Sequence, residues 1–195
     1  MSEPYWEPLA AVPASPTISM VTTLPSSGFT DGLEVLLVDS LTAPTYAWHF
    51  RYASGIADVF KWVFLGGSPL YKKVQTNETT ASTTYVDLAT AMSLTVPKAG
   101  IYNIKHGASI YVGASHAYGY ASVKLGAAAT SDNDAAVHRM SVDATESSVM
   151  QSVLNATLVD GAVVKQQYRV TGNTGQFARR WLEIEPVRLS SALPI

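Results

Sequence analysis

The feature that most constrains the fold is a series of aromatic residues at alternate positions between residues 45 and 64. The first group comprises Tyr46, Trp48, Phe50 and Tyr52, and the second comprises Phe60, Trp62 and Phe64. A period of two places the rings of each group on one face of a β-strand. Residues 53–58 between the groups are small or turn-forming, so the pattern predicts an antiparallel hairpin with facing aromatic pairs. Residues 34–39 add a third strand.

Two interpretations of these rings are open from the sequence. Aromatic side chains on strands usually serve packing, which makes Trp48, Phe50, Trp62 and Phe64 the expected core of a small β meander over residues 28–68. The alternative is an exposed aromatic platform that binds a sugar or a partner chain.

The charge content limits the kind of surface that the chain can expose. Only 14% of the residues are charged and 47% are hydrophobic, whereas about a quarter of an ordinary soluble domain is charged. No segment approaches the roughly 20 apolar residues that span a bilayer, so we expect no membrane insertion and instead an oligomer that buries part of its surface. The formal net charge of −2 lacks the basic footprint of a nucleic-acid-binding protein, so we expect no nucleic-acid partner.

Motifs for catalysis and for metal or cofactor binding are absent from the sequence. The chain has no cysteine, which excludes disulfides and thiolate metal sites. Its four histidines lack the spacing of a helical zinc site, and no nucleotide-binding loop or nucleophile elbow occurs. The segment 132–134 (Asp-Asn-Asp) offers oxygen atoms but lacks the glycine and the distal glutamate of a calcium-binding loop. We therefore expect a protein without catalytic residues, cofactor or metal.

Residues 1–27 differ from the rest of the chain because they contain five prolines. Proline fixes its own backbone and disfavours helix in the residue before it, so the segment is predicted to be an extended arm. Tyr5 and Trp6 are too apolar to favour water, and we expect these two rings to anchor the arm on a neighbouring subunit or particle. A flexible terminus is the alternative. The first residues also lack a secretory signal, which implies synthesis in the cytoplasm.

The remainder of the chain, residues 69–195, shows many short alternating segments separated by glycine and proline turns. The turn over residues 66–69 (Gly-Gly-Ser-Pro) marks the predicted domain boundary. The clearest strands are predicted at 100–112, 118–125, 148–158, 163–170 and 177–187, with a long loop over 127–145 and a weak helical pattern over 144–153. Arg179 and Arg180 are predicted to be exposed beside a buried Trp181. Short strands in this number favour a sandwich or a barrel.

Two stretches resemble known families. Residues 31–70 contain Pro-Thr-Tyr-x-Trp-His-x-Arg-Tyr and Lys-Trp-x-Phe-x-Gly-Gly-Ser-Pro-Leu, and they resemble a segment of the virion proteins of tailed bacteriophages. Residues 75–190 resemble the jelly roll of the tumour-necrosis-factor and complement globular-head families. That second resemblance depends on residues 96–102 (Val-Pro-Lys-Ala-Gly-Ile-Tyr), on residues 158–164 and on an aromatic last strand, although the usual Gly-Asp is reversed here to Asp160-Gly161.

The resemblances imply an all-β protein with an extended N-terminal arm (1–27), a small antiparallel aromatic β meander (28–68) and a C-terminal jelly-roll sandwich (69–195). They imply a homotrimer, and the low charge content favours the same conclusion. Tyrosine packs apolar area while its hydroxyl group finds a partner, so the candidates for the subunit contact are Tyr102, Tyr111, Tyr118, Tyr120 and Tyr168.

The expected function is that of a non-enzymatic virion component of the minor tail, tail fibre or head-decoration type. Such a protein would be made in the host cytoplasm, and its partners would be itself and other virion proteins of the capsid or tail. The alternative is a carbohydrate-binding, receptor-recognition module of the adsorption apparatus, whose partner would be a host surface glycan.

Overall fold

The computed structural model describes residues 18–28, 30–113, 116–139 and 146–190, and within them regular structure is almost entirely β-strand. The only helical element in these ranges is a 3-10 turn at Asp132–Asp134. The strands are β1 (Ser19–Val21), β2 (Glu34–Val38), β3 (Ala47–Tyr52), β4 (Trp62–Gly67), β5 (Leu70–Val74), β6 (Glu78–Thr80), β7 (Met92–Thr95), β8 (Gly100–Val112), β9 (Tyr118–Leu125), β10 (Ala136–Arg139), β11 (Ser147–Leu158), β12 (Val163–Val170) and β13 (Gly175–Leu189).

Two sheets face each other as a sandwich. The large sheet has the order β1-β2-β3-β4-β13-β8-β11, with β5 and β6 also paired to β13, and the small sheet has the order β10-β9-β12-β7. From β7 onward the chain alternates between the sheets through β8, β9–β10, β11, β12 and β13, which is the double Greek-key connectivity of a jelly roll. The predicted all-β sandwich is confirmed. Residues 1–17 of the predicted arm, with Tyr5 and Trp6, lie outside the described residues. The described remainder is part of the sandwich, because β1 pairs in parallel with β2 and Leu24 is buried in the core, which corrects the prediction of an extended arm there.

The aromatic hairpin forms as predicted and continues the large sheet. Phe50 lies opposite Phe64 and Tyr52 lies opposite Trp62, with ring centroids 5.6 Å and 5.4 Å apart. Strand β4 also pairs with the end of β13. The boundary predicted at residues 66–69 is the short connection between β4 and β5, and both of these strands pair with β13. The meander and the jelly roll therefore share one sheet.

The two regions also share one apolar core. Trp48 has no exposed surface, and it belongs to the same cluster of buried side chains as Tyr102 and Leu182 of the jelly roll. The indole N–H of Trp48 donates to the carbonyl oxygen of Ser68 at 2.7 Å, so the buried ring leaves no unpaired polar atom. Loss of a meander tryptophan would therefore weaken the whole sandwich.

A β-bulge in β13 reverses the faces that the sequence predicted for Arg180 and Trp181. Ala178 pairs with Ser109 and Trp181 pairs with Gly107 of β8, so residues 179 and 180 stand opposite residue 108 alone. One extra residue shifts the alternation of a strand and turns the following side chains to the other face. Arg180 consequently has 0% exposed surface and Trp181 points outward, which corrects the predicted exposed arginine and buried tryptophan.

The buried charge of Arg180 is neutralised by a carboxylate from β6. Its Nη2 lies 3.0 Å from Oε1 of Glu78, and its Nη1 donates to the carbonyl oxygen of Thr90 at 3.1 Å. Burial would raise the pKa of Glu78, but hydrogen bonds from Thr90 and the charge of Arg180 together hold that pKa below its ordinary value. The ion pair thus ties the segment from β6 to β7 onto the centre of β13.

The long loop predicted over residues 127–145 contains the 3-10 turn and β10, and both are tied to the body of the protein. His106 is fully buried in β8, and its Nε2–H donates to the carbonyl oxygen of Asp134 at 2.8 Å. Burial lowers the pKa of His106 from 6.5 to about 4. Arg169 donates twice to the carboxylate of Asp132, at 3.1 and 2.6 Å. The weak helical pattern over 144–153 was misleading, since β11 extends through residues 147–158.

Candidate functional site

The five tyrosines proposed for a subunit contact do not lie on one surface. Tyr102 and Tyr168 are fully buried inside the protomer. Their hydroxyl groups donate to the carbonyl oxygen of Lys98 at 2.6 Å and to Oε1 of Gln166 at 2.8 Å, respectively. Neither ring has surface left for a neighbouring subunit, so both are corrected to core residues.

The other three tyrosines are divided between the two sheets. Tyr118 and Tyr120 are partly exposed on the side of the small sheet that faces away from the sandwich. The guanidinium of Arg139 lies 5.6 Å from the ring centre of Tyr118, and that of Arg169 lies 3.7 Å from the ring centre of Tyr120. Tyr111 instead belongs to β8 of the large sheet. A single contact surface therefore includes either Tyr111 or the pair on the small sheet.

The meander rings offer little surface to a ligand. Trp48, Phe50 and Trp62 are completely buried, and Phe64 is partly buried against the same core. The exposed aromatic platform that the sequence left open as an alternative is therefore not formed by these tryptophans. The exposed aromatic side chains of the described structure lie elsewhere.

We use the term outer face for the side of β5, β13, β8 and β11 that points away from the small sheet. Strand register aligns the side chains of this face in rows across the four strands. One row contains Lys73, Trp181, Gly107 and Met150. The next row contains Tyr71, Glu183, Lys105 and Ser152.

Trp181 is the centre of the outer face, and its indole ring packs over Gly107. A Cβ atom added at Gly107 would lie 2.7 Å from Nε1 of Trp181 and 2.6 Å from the carbonyl oxygen of Val149. Any side chain at this position would displace the indole ring, because real Cβ contacts are not this short. The glycine therefore allows a large aromatic ring to lie flat against the sheet.

Three apolar side chains with large exposed areas lie on the same face as this ring. Tyr71 is 54% exposed, Met150 is 68% exposed and Leu154 is 65% exposed. Together with Trp181 they form what we call the apolar half of the outer face. The charged residues next to them, Lys105 and Glu183, neutralise each other across 2.9 Å. This half is therefore open to solvent, with an ion pair and Lys73 beside its apolar side chains.

The opposite end of the outer face is a polar pocket with a volume of about 210 Å³. Its lining includes Asn77, Ser109, Tyr111, Glu146, Gln176 and Arg179. A second depression of about 410 Å³ shares Ser109 and Arg179 with this pocket and extends to Trp181 and Tyr71. The amide of Asn77 donates to the side-chain oxygen of Gln176 at 3.0 Å.

Sequence reasoning found Tyr111 but missed most of the outer face. The alternation in residues 70–74 places Tyr71 and Lys73 on one face and was a usable signal for β5. The orientation of Trp181 carries no such signal, because it depends on the bulge at residues 179 and 180.

The described residues show neither a metal-binding cluster nor a membrane-spanning helix. No group of three or more metal-ligating side chains lies together in this part of the chain. Within the same ranges, no helix is long and apolar enough to cross a membrane.

Comparison with known proteins gives a likeness of fold alone. No protein-family model matches the chain, and no curated protein matches its sequence. The chain is similar to the solved structure of Eiger TNF from S. frugiperda, with 9% sequence identity and a TM-score of 0.43. That alignment covers 65% of this chain and 96% of the other.

Proposed function

We propose that this chain is a non-enzymatic structural component of a tailed-bacteriophage virion, of the minor tail, fibre or head-decoration type, and that it assembles as a homotrimer. The resemblance of residues 31–70 to phage virion proteins supports the proposal that the chain is part of a virion. The apolar half of the outer face supports the assembly. That exposed apolar half is the single observation on which the assembly depends.

The physical reason for assembly is the cost of leaving this surface in water. Tyr71, Met150 and Leu154 are each more than half exposed, on the same side of a continuous sheet as the ring of Trp181. Soluble monomers rarely expose contiguous apolar patches beyond a few hundred Å². A closed symmetric assembly removes such a patch from water. In a threefold assembly the contact is heterologous, so the apolar half of one subunit meets a different surface of the next.

Measurement of the molecular mass of the full chain by analytical ultracentrifugation tests the assembly. We expect a trimer for the natural sequence, and we expect Met150→Asp and Leu154→Asp to shift the population toward monomer without loss of folding. Val159→Asp is the matched control, because Val159 is 71% exposed in the turn after β11, beyond the apolar half. A stable, soluble monomer of the natural sequence at micromolar concentration would contradict the assembly.

Attachment to the particle is a separate part of the proposal. The part of the predicted arm that precedes β1, with Tyr5 and Trp6, attaches the assembly to the capsid or tail. Deletion of residues 2–16 should leave a folded sandwich with an unchanged number of subunits per assembly that no longer joins the particle. Incorporation of the deleted protein at the normal copy number would rule out this role of the arm.

A second candidate function is recognition of a host surface glycan by the same virion component. The polar pocket favours it, because hydrogen-bonding side chains and an aromatic ring converge there on a concave surface, as in binding sites for small polar ligands.

A further inference from the structure

Arg179 adopts a backbone conformation that only a functional or packing requirement would retain. Its φ angle is +46°, in the left-handed region where glycine is the favoured residue. Strained residues of this kind are concentrated at ligand-binding and active sites. Bulges are also frequent next to active sites, where they redirect a side chain. Here the bulge presents the side chain of Arg179 to both depressions of the outer face.

The bulge that turns Arg180 inward accounts for the left-handed backbone at this position, but packing within the chain does not explain why an arginine and not a glycine occupies it. Arg179 is exposed, and its guanidinium forms no ion pair or hydrogen bond with any residue that the structure describes. The neighbouring Arg180 provides the contrast, since it is buried against Glu78. The strain at Arg179 therefore positions a charged, hydrogen-bonding group over the pocket.

The side chains around Arg179 supply both kinds of hydrogen-bonding group. A guanidinium only donates, an ionised carboxylate such as that of Glu146 only accepts, and hydroxyl groups such as that of Ser109 do both. The hydrogen bond from Asn77 to Gln176 leaves the carbonyl oxygen of Asn77 and the amide nitrogen of Gln176 for a ligand. Mixed donors and acceptors match a ligand whose own groups both donate and accept, as sugar hydroxyls do.

The charge and the volume of the pocket limit the class of ligand further. Arg179 and Glu146 carry opposite charges, so the pocket favours neither an anion nor a cation. The half-buried ring of Tyr111 adds a flat apolar surface of the kind on which the C–H face of a sugar ring packs. A volume of about 210 Å³ lies below the roughly 300 to 1,000 Å³ of pockets for drug-sized ligands. A single sugar ring fits such a space.

We propose that the polar pocket binds a single neutral hexose unit of a glycan. Arg179 and Gln176 donate hydrogen bonds to it, Glu146 and Asn77 accept hydrogen bonds from it, and Tyr111 packs against its ring. This proposal rests on the second candidate function and is independent of the trimer.

Saturation-transfer NMR on the full chain tests the site, with glucose, galactose, mannose and N-acetylglucosamine as probes. We expect at least one of these sugars to bind in the millimolar range. Both Arg179→Gln and Arg179→Gly should weaken that binding about tenfold or more, since a hydrogen bond to a charged group is lost. Arg139→Gln, on the outer side of the small sheet, is the control and should bind as the natural sequence does.

The stability of the same variants separates a ligand-positioning role from a structural one. Arg179→Gly should have an unchanged or higher melting temperature although it binds sugar less well, because glycine adopts the left-handed conformation without strain. Glucuronic acid is measured in the same way as a charged comparison. Absence of binding by all four neutral sugars, a preference for glucuronic acid over glucose, or full binding by Arg179→Gly would overturn the proposal. The molecular mass of each sample, measured in parallel, distinguishes loss of sugar binding from loss of the trimer.

Discussion

The meander and the outer face of the large sheet carry similar aromatic side chains in opposite environments. In the meander, Trp48 and Trp62 are completely buried and contribute to the core between the sheets. On the outer face, Trp181 lies over a glycine and Tyr71 is more than half exposed. Alternation along a strand determines which residues share a face. Whether that face is buried or exposed depends on whether the second sheet covers it.

The comparison teaches that aromatic alternation by itself does not distinguish a core from a binding surface. The hairpin is the more conspicuous aromatic pattern in the sequence, yet its rings are enclosed. The less conspicuous residues of β5 and β13 form the exposed surface, because those strands place their other side chains against the small sheet. Substitutions in the two regions should therefore have different consequences.

The largest effect is expected for the meander tryptophans. Trp62→Ala or Trp48→Ala should lower the free energy of unfolding by about 3 to 5 kcal/mol, the usual cost of removing a large buried ring. The loss should appear in one cooperative transition of the whole chain, because the meander shares its core with the jelly roll. Denaturant titration measures it. Trp181→Ala is the matched comparison and should cost far less stability while it weakens association.

Separate unfolding of residues 28–68 in these variants, with the remaining chain unaffected, would show that the meander folds independently of the jelly roll. A loss of less than 1 kcal/mol would contradict the packing role of the buried rings.

Removal of one partner of the buried ion pair should have the next largest effect. Arg180→Met leaves the carboxylate of Glu78 without its counter-charge, and such a change in a buried pair costs about 3 kcal/mol or more. The double variant Arg180→Met/Glu78→Met should recover much of that loss, because two apolar side chains then replace two charges. Chemical denaturation of the single and double variants measures the coupling. Equal loss in both would show that the charge of Glu78 is tolerated without its partner.

The pH dependence of stability should report on His106. Because its pKa in the folded chain is about 4 and its ordinary value is 6.5, the unfolded chain takes up the proton first as the pH falls. Stability is then complete above pH 6.5 and decreases by about 3 kcal/mol between pH 6.5 and pH 4. His106→Gln should remove most of this slope, whereas the exposed-site variant His116→Asn should retain it. Melting temperatures across this pH range provide the measurement.

Much of the fold could be predicted because local alternation was strong. The strands predicted at 100–112, 118–125 and 163–170 coincide with β8, β9 and β12. Strands β5 and β6 were missed, since they are short and polar and pair with β13, about 100 residues later. Strand β10 was missed because its four residues lie in a stretch of small and polar residues. Pairings this distant in sequence leave little local signal.

The candidate site was less predictable because it depends on one inserted residue. Without the bulge, Arg180 and not Trp181 would lie on the outer face. No glycine marks the position, and an arginine in the left-handed conformation is not expected from propensity. Tyr102 and Tyr168 were predicted as subunit contacts because tyrosine packs apolar area while its hydroxyl finds a partner, but the small sheet and the large sheet enclose both rings.

The smallest change in stability is expected for a substitution of Arg179. Replacement of this arginine should not destabilise the chain, whereas replacement of Arg180, the other arginine of the bulge, should. A residue with a side chain costs about 1 to 2 kcal/mol in the left-handed conformation, whereas glycine in a strand costs about 0.5 to 1 kcal/mol in unfolded-chain entropy. Arg179→Gly should therefore leave the stability of the chain unchanged or raise it by up to about 1.5 kcal/mol. Arg139→Gly, in a strand with ordinary backbone angles, should destabilise it by about 0.5 to 1 kcal/mol. Thermal unfolding of both variants, compared with the natural sequence, checks the difference. Destabilisation by Arg179→Gly would mean that the arginine side chain itself holds the bulge, and the contrast between a strained surface arginine and a buried structural one would then disappear.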